Sequence, residues 1–156
     1  HDRYHPSRRN PWNEIECGDH YARSMASYGI YLAACGFAYH GPQQRMGFAP
    51  RLLSSQGTKG AASFRCAFTS AEGWGSYAQV FDANTAHFTL AMKWGKLRLR
   101  TLDLPLPEGL RAGAPRVRMN GKSLKTRQVQ TGTRLTITFL EEAEVAANQE
   151  LSVTAA

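Results

Sequence analysis

The sequence lacks any apolar run approaching the ~20 residues of a bilayer-spanning helix, so no transmembrane segment is expected. It lacks a CxxC pair: the 3 cysteines, Cys17, Cys35 and Cys66, form neither a zinc-ribbon pattern nor a readable disulfide framework. Each reads as a small buried thiol, and their use leans toward a reducing, cytoplasmic compartment. Acidic residues are scarce, 12 against 19 basic, for a net charge of +7. That balance suits nucleic acid or an anionic surface, but the cations are dispersed. The local clusters are Arg8-Arg9 and the run Lys93, Lys96, Arg98, Arg100. On a strand Lys96, Arg98 and Arg100 would share one face, with Leu97, Leu99 and Leu102 mostly on the other. That basic face carries no interleaved aromatics, so it reads as solvated and no nucleic-acid partner is expected. There is no repeat and no low-complexity tract. The chain starts His1-Asp2-Arg3, with neither an initiator Met nor a visible signal peptide, which raises the expectation of a fragment.

What is present changes character near residue 57. Before it, Tyr21, Met25, Tyr28, Leu32 and Cys35 recur at helical spacing and predict a helix over 20–36. Asp19 would cap it and Gly36 would stop it. Its small residues Ala22, Ser24, Ala26, Ser27 and Gly29 imply close packing against further helices, and no second helix of similar strength follows. Phe37–His40 and Arg45–Phe48 flank Gly41-Pro42 and predict a short hairpin.

After residue 61 the pattern has period two. Candidate strands are Ala62–Thr69, Trp74–Phe81, His87–Trp94, Lys96–Leu104, Arg116–Met119, Leu124–Val129, Arg134–Phe139 and Leu151–Thr154. Turn signals separate them, including Trp94-Gly95 and the strong hairpin signal Asn120-Gly121.

Chemistry concentrates in Asn10–Arg23, which holds three carboxylates, one His, one Arg and two large aromatics. A carboxylate accepts paired hydrogen bonds from vicinal hydroxyls, and Arg offers a fixed fork of donors. Acid, Arg and aromatic together suit a sugar pocket; the same acids also suit a helix N-terminus. Glu16 and His20 stand at i, i+4 but are too few ligands for a metal, so no metal or cofactor is expected. Nothing orients Cys17 and His20 as a nucleophile pair. Tyr39-His40 reads as a hairpin tip, and Trp74 within Glu72-Gly73-Trp74-Gly75 reads as packed into the core, with a binding loop as the alternative.

The run Asn10-Pro11-Trp12-Asn13-Glu14-Ile15-Glu16-Cys17-Gly18-Asp19-His20-Tyr21-Ala22-Arg23-Ser24-Met25-Ala26-Ser27-Tyr28-Gly29 resembles the C-terminal signature of glycoside hydrolase family 116. That family includes non-lysosomal glucosylceramidases and bacterial β-glucosidases. Gly47-Phe48-Ala49-Pro50-Arg51 and Phe68-Thr69-Ser70-Ala71-Glu72-Gly73-Trp74-Gly75 add to the resemblance, which covers roughly residues 8–79.

The resemblance implies a retaining hydrolase of β-glucosides or glucosylated lipids, whose nucleophile and acid/base both lie upstream in the same polypeptide. No catalytic residue is then expected in this chain. The family's glycone-binding Glu and Arg match Glu14 and Arg23, with Glu16 as a nearby alternative acid and Trp12 and His20 as pocket walls. The implied fold class is α+β. Residues 1–57 would supply the last helix or helices of an (α/α) six-hairpin barrel, and 58–156 a mostly antiparallel, sandwich-like β tail. By itself such a piece is expected to be inactive. The alternative is a stand-alone carbohydrate-binding or interaction module, with Trp12, Tyr21 and Trp74 as sugar platforms.

Overall fold

The computed structural model describes residues 25–51 and 62–156. The chain divides into two compact units, His1–Ala33 and Ala34–Ala156. The change of character near residue 57 lies outside the described residues.

In the first unit the described residues belong to helix α1, Met25–Cys35, which runs on to the start of the second. Its large apolar side chains Tyr28, Ile30, Tyr31 and Leu32 are exposed. The stripe read from the sequence therefore splits: Tyr28 and Leu32 face solvent, while Cys35 is buried. The earlier part of the predicted helix, with its cap Asp19, lies outside the described residues. The helix stops at Gly36, whose φ of 55° is the left-handed conformation that ends helices.

The second unit is built of strands, and the expected α+β class is overturned. Among the described residues there is one α-helix against ten strands, with no helical-barrel portion. The inference failed because one small-residue helix was extended to a barrel through the family resemblance. The strands carry the hydrogen bonding: β1 Ala38–His40, β2 Arg45–Gly47, β3 Ala62–Ser70, β4 Gly73–Phe81, β5 Ala86–Pro105, β6 Arg116–Met119, β7 Lys122–Ser123, β8 Thr126–Thr131, β9 Arg134–Ala146 and β10 Glu150–Ala155. All ten join one hydrogen-bonded network. It is mixed, because β2 lies parallel to β5 while the other pairs are antiparallel.

Local signals explain much of this. The hairpin β1–β2 forms as expected, with Tyr39 opposite Met46. Its tip is a 3-10 turn, Gly41–Gln43, in which the Gln43 N–H donates to His40 Nδ1 at 3.2 Å. His40 is thus a capping residue. At Asn120-Gly121 both φ angles are positive, 46° and 80°, as a type I′ hairpin requires.

The central element is β5, 20 residues long. Its first half pairs with β4 and β10, and its second half with β9 and β2. No turn forms at Trp94-Gly95: the two strands predicted around it are one. The reason is two bulges. Gly75 pairs with Met92 but Trp74 with Trp94, so Lys93 is skipped; Leu99 pairs with Ala143 but Thr101 with Thr138, so Arg100 is skipped. Each extra residue flips the strand's inward face. Ala86, Phe88, Leu90 and Met92 are buried, then Leu97 and Leu99, then Leu102 and Leu104. Their partners from both halves, including Tyr77, Ile137, Val145, Leu151 and Val153, complete a single apolar core. Burying each such side chain contributes about 1.5–3 kcal/mol.

Candidate functional site

The residues singled out for sugar binding, Trp12, Glu14, Glu16, His20 and Arg23, all lie outside the described residues, as does Cys17. Three other places among the described residues concentrate polar or reactive groups.

The first is a cleft of about 520 Å³ lined by Gly36, Arg45, Phe48, Asp103, Thr131 and Arg134, among others. Its polar centre is Asp103. Arg45 donates to Oδ2 from Nε at 2.8 Å and from Nη2 at 2.7 Å, and the Thr136 hydroxyl donates to Oδ1 at 2.6 Å. Both carboxylate oxygens are therefore engaged. The parallel pairing of β2 with β5 sets Gly47 opposite Asp103, which carries Arg45 to this carboxylate. The arrangement ties the hairpin to the sheet and leaves Asp103 poorly placed as a base.

The second is interior. Cys35 and Cys66 are free and buried, as the sequence reading expected of each. Burial, and then the neighbouring Cys35 thiol, push the Cys66 thiol from 9.0 up to about 12. A thiol so protonated is a poor nucleophile and a poor metal ligand. Beside it, burial raises the Tyr77 phenol above its ordinary value, and Cys66 adds to this. Its O–H donates to Gln79 Oε1 at 2.7 Å, and its ring stacks on Phe48 at 3.8 Å. Gln79 Nε2 has no hydrogen-bond partner. The cluster is a polar insertion in an apolar core. No group of His, Cys, Asp and Glu able to hold a metal occurs among the described residues.

The third is the solvent face of the sheet at the first bulge of β5. Trp74 on β4 stands opposite Trp94 on β5, and Thr69 on β3 stands opposite Trp74. All three are exposed, the indoles to 50% and 64%. Trp74 is thus not in the core, contrary to the sequence reading. Trp94 was read as the edge of a turn. The bulge turns it outward: at the parity of Leu90 and Met92 it would otherwise face inward. Beyond it, Lys96 and Arg98 continue the same face.

Two glycines hold this geometry. Gly95 has φ 71°, and a Cβ there would overlap the Glu72 carbonyl; a Cβ at Gly73 would overlap the Trp94 carbonyl. The strands therefore approach closely only because both positions lack side chains. Ion pairs border the indoles. Arg98 Nη2 lies 3.0 Å from Glu72 Oε1, Arg98 Nε lies 3.7 Å from Glu144 Oε2, and Lys96 Nζ lies 3.1 Å from Glu144 Oε2. Sequence reasoning missed Trp94 and Glu144. The usable signal was the parity change between Met92 and Leu97, which a continuous strand produces only with a bulge.

Among the described residues no helix is long and apolar enough to cross a membrane. No model of a known protein family matches the chain, and no curated protein matches it.

Proposed function

We propose that the chain is the C-terminal part of a retaining β-glucosidase- or glucosylceramidase-like glycoside hydrolase of the family 116 type. The observation that carries this reading is the run Asn10–Gly29, with Glu14 and Arg23 nine residues apart. In this proposal Glu14 and Arg23 grip hydroxyls of the glucosyl unit away from the scissile bond. Trp12, Glu16 and His20 form the wall. The nucleophile and the acid/base come from upstream in the same polypeptide. A carboxylate and a guanidinium suit this role because each makes charge-assisted, paired hydrogen bonds to neighbouring hydroxyls. Remote contacts of this kind lower the barrier at the reacting carbon when they strengthen toward the transition state.

The test is kinetic, in the intact enzyme. Losing a charged hydrogen-bond partner costs about 1.5–3 kcal/mol, so Glu14→Ala should lower kcat/KM for an aryl β-glucoside by about ten- to a hundredfold. Arg23→Ala should act in the same direction. Unchanged kinetics for both would refute the assignment. The 156-residue chain alone should not turn over the substrate.

A further inference from the structure

We propose that the exposed face around Trp74 and Trp94 is a carbohydrate-binding surface that takes the pyranose rings of a glucan chain. It uses neither Glu14 nor Arg23 and does not rest on the family reading.

Three observations carry it. The first is that two indoles sit at directly opposed positions on neighbouring strands, both half or more exposed. Exposed tryptophan is costly to solvate, and two side by side form an aromatic patch that wants a flat apolar partner. The axial C–H face of a pyranose is such a partner. The second is that the placement is built: a bulge at Lys93 turns Trp94 outward, and Gly73 and Gly95 permit the close strand approach. The third is the border. Thr69 lies beside Trp74, while Glu72, Lys96, Arg98 and Glu144 line the same face with partly exposed heads. The two carboxylates keep free acceptor sites for hydrogen bonds donated by sugar hydroxyls.

The border also decides against other occupants. Lys96 and Arg98 are paired with Glu72 and Glu144, which leaves Lys93, exposed beside Trp94, as the neighbouring cation with no ion pair among the described residues, against the several cations that tracking phosphates takes. Two aromatics ringed by charges are also far smaller than the ~800 Å² per partner of a stable protein interface. A neutral, hydroxyl-rich ligand with an apolar face fits both halves of the pattern.

The experiment uses the whole chain with cellohexaose as probe. Binding is followed by calorimetry and by intrinsic tryptophan fluorescence. We expect binding that hardly changes with salt, weakened about tenfold or more by Trp74→Ala and by Trp94→Ala. Glu72→Gln should weaken it less. As a check that does not depend on the variants folding, oxidation by N-bromosuccinimide is mapped by mass spectrometry. Cellohexaose should protect the peptides holding Trp74 and Trp94.

Three results would overturn the proposal. One is no binding of cellohexaose by the unaltered chain. Another is binding that survives both substitutions without protection of either indole. The third is binding lost in Glu14→Ala but unchanged in the tryptophan variants, which would put the sugar at the Asn10–Arg23 motif and leave the family reading intact. Steeply salt-dependent binding of single-stranded DNA that Trp74→Ala abolishes, with no cellohexaose binding, would identify a nucleic-acid platform in its place.

Discussion

Before Lys93 the buried side chains of β5 occupy even positions; after Gly95 they occupy odd ones, and past Arg100 even ones again. The two halves share one backbone and one core, yet they obey opposite alternation. In the first half the outward row is His87, Thr89, Ala91 and Lys93; in the second it is Lys96, Arg98 and then, past the bulge, Thr101 and Asp103. On β5 one residue is skipped at each place, Lys93 and Arg100; at the second, β9 also passes over residues 139–142 without pairing with β5. Both are basic with exposed side chains, and the Arg100 N–H donates to the Gln44 carbonyl at 2.8 Å although Arg100 has no partner on β9. A strand can therefore change which face it offers the core without a turn, and the place where it does so is where the two indoles emerge.

An alanine scan of β5 puts that comparison at risk most severely. Leu90, Leu99 and Leu102 are fully buried. Replacing each by Ala should cost about 2–5 kcal/mol in urea-monitored unfolding. The costly positions should change parity twice along the strand. A scan whose costs kept one parity throughout would refute the bulges.

Next in size is Gly95→Ala. Its φ of 71° disfavours any Cβ, and the Cβ would overlap the Glu72 carbonyl. A cost of about 1–3 kcal/mol is expected, together with altered tryptophan fluorescence. Loss of stability without a change at Trp94 would mean that the bulge does not orient the indole.

Smaller still is Arg98→Gln. Its pairs with Glu72 and Glu144 are largely exposed, so the expected loss is about 0–1 kcal/mol, shrinking further in salt.

The smallest effect at neutral pH is one that appears only in alkali. The Cys66 thiol keeps its proton in the folded chain up to about 12, whereas an unfolded thiol releases it near 9.0. Between those values the unfolded chain binds fewer protons, so stability falls as pH rises. Below about pH 8 the contribution is complete and flat. The raised Tyr77 phenol acts in the same direction. Cys66→Ala should reduce the alkaline slope of a pH-dependent melting curve, and an unchanged slope would contradict the burial argument.

These contrasts show which parts of the molecule a single sequence displays. Hairpin β1–β2, the Asn120-Gly121 turn and strand β6 rest on neighbours in sequence, and local turn chemistry suffices to place them. Trp94-Gly95 misled because Gly is a turn signal and a bulge signal alike. Which one it is depends on the register of β4 beside it, a non-local fact. The parallel contact of β2 with β5, and the reach of Glu144 across to Lys96, likewise join distant segments. The fold class failed differently. A family resemblance outweighed the plain abundance of period-two patterning after residue 61. For the candidate sites, Trp74 was named but assigned to the interior. Glu14 and Arg23 remain a reading of motif alone.

Strand β5 has one more consequence, for how the β region comes apart. It donates and accepts ladder hydrogen bonds for β4 and β10 at one end and for β9 and β2 at the other. Peeling away either end strips partners from a strand that the other end still needs. Opening should therefore be concerted, with amides of Phe88–Met92 and of Leu97–Leu104 exchanging with solvent as one cooperative unit. The long strand thus ties the two halves of the sheet into one unit of opening.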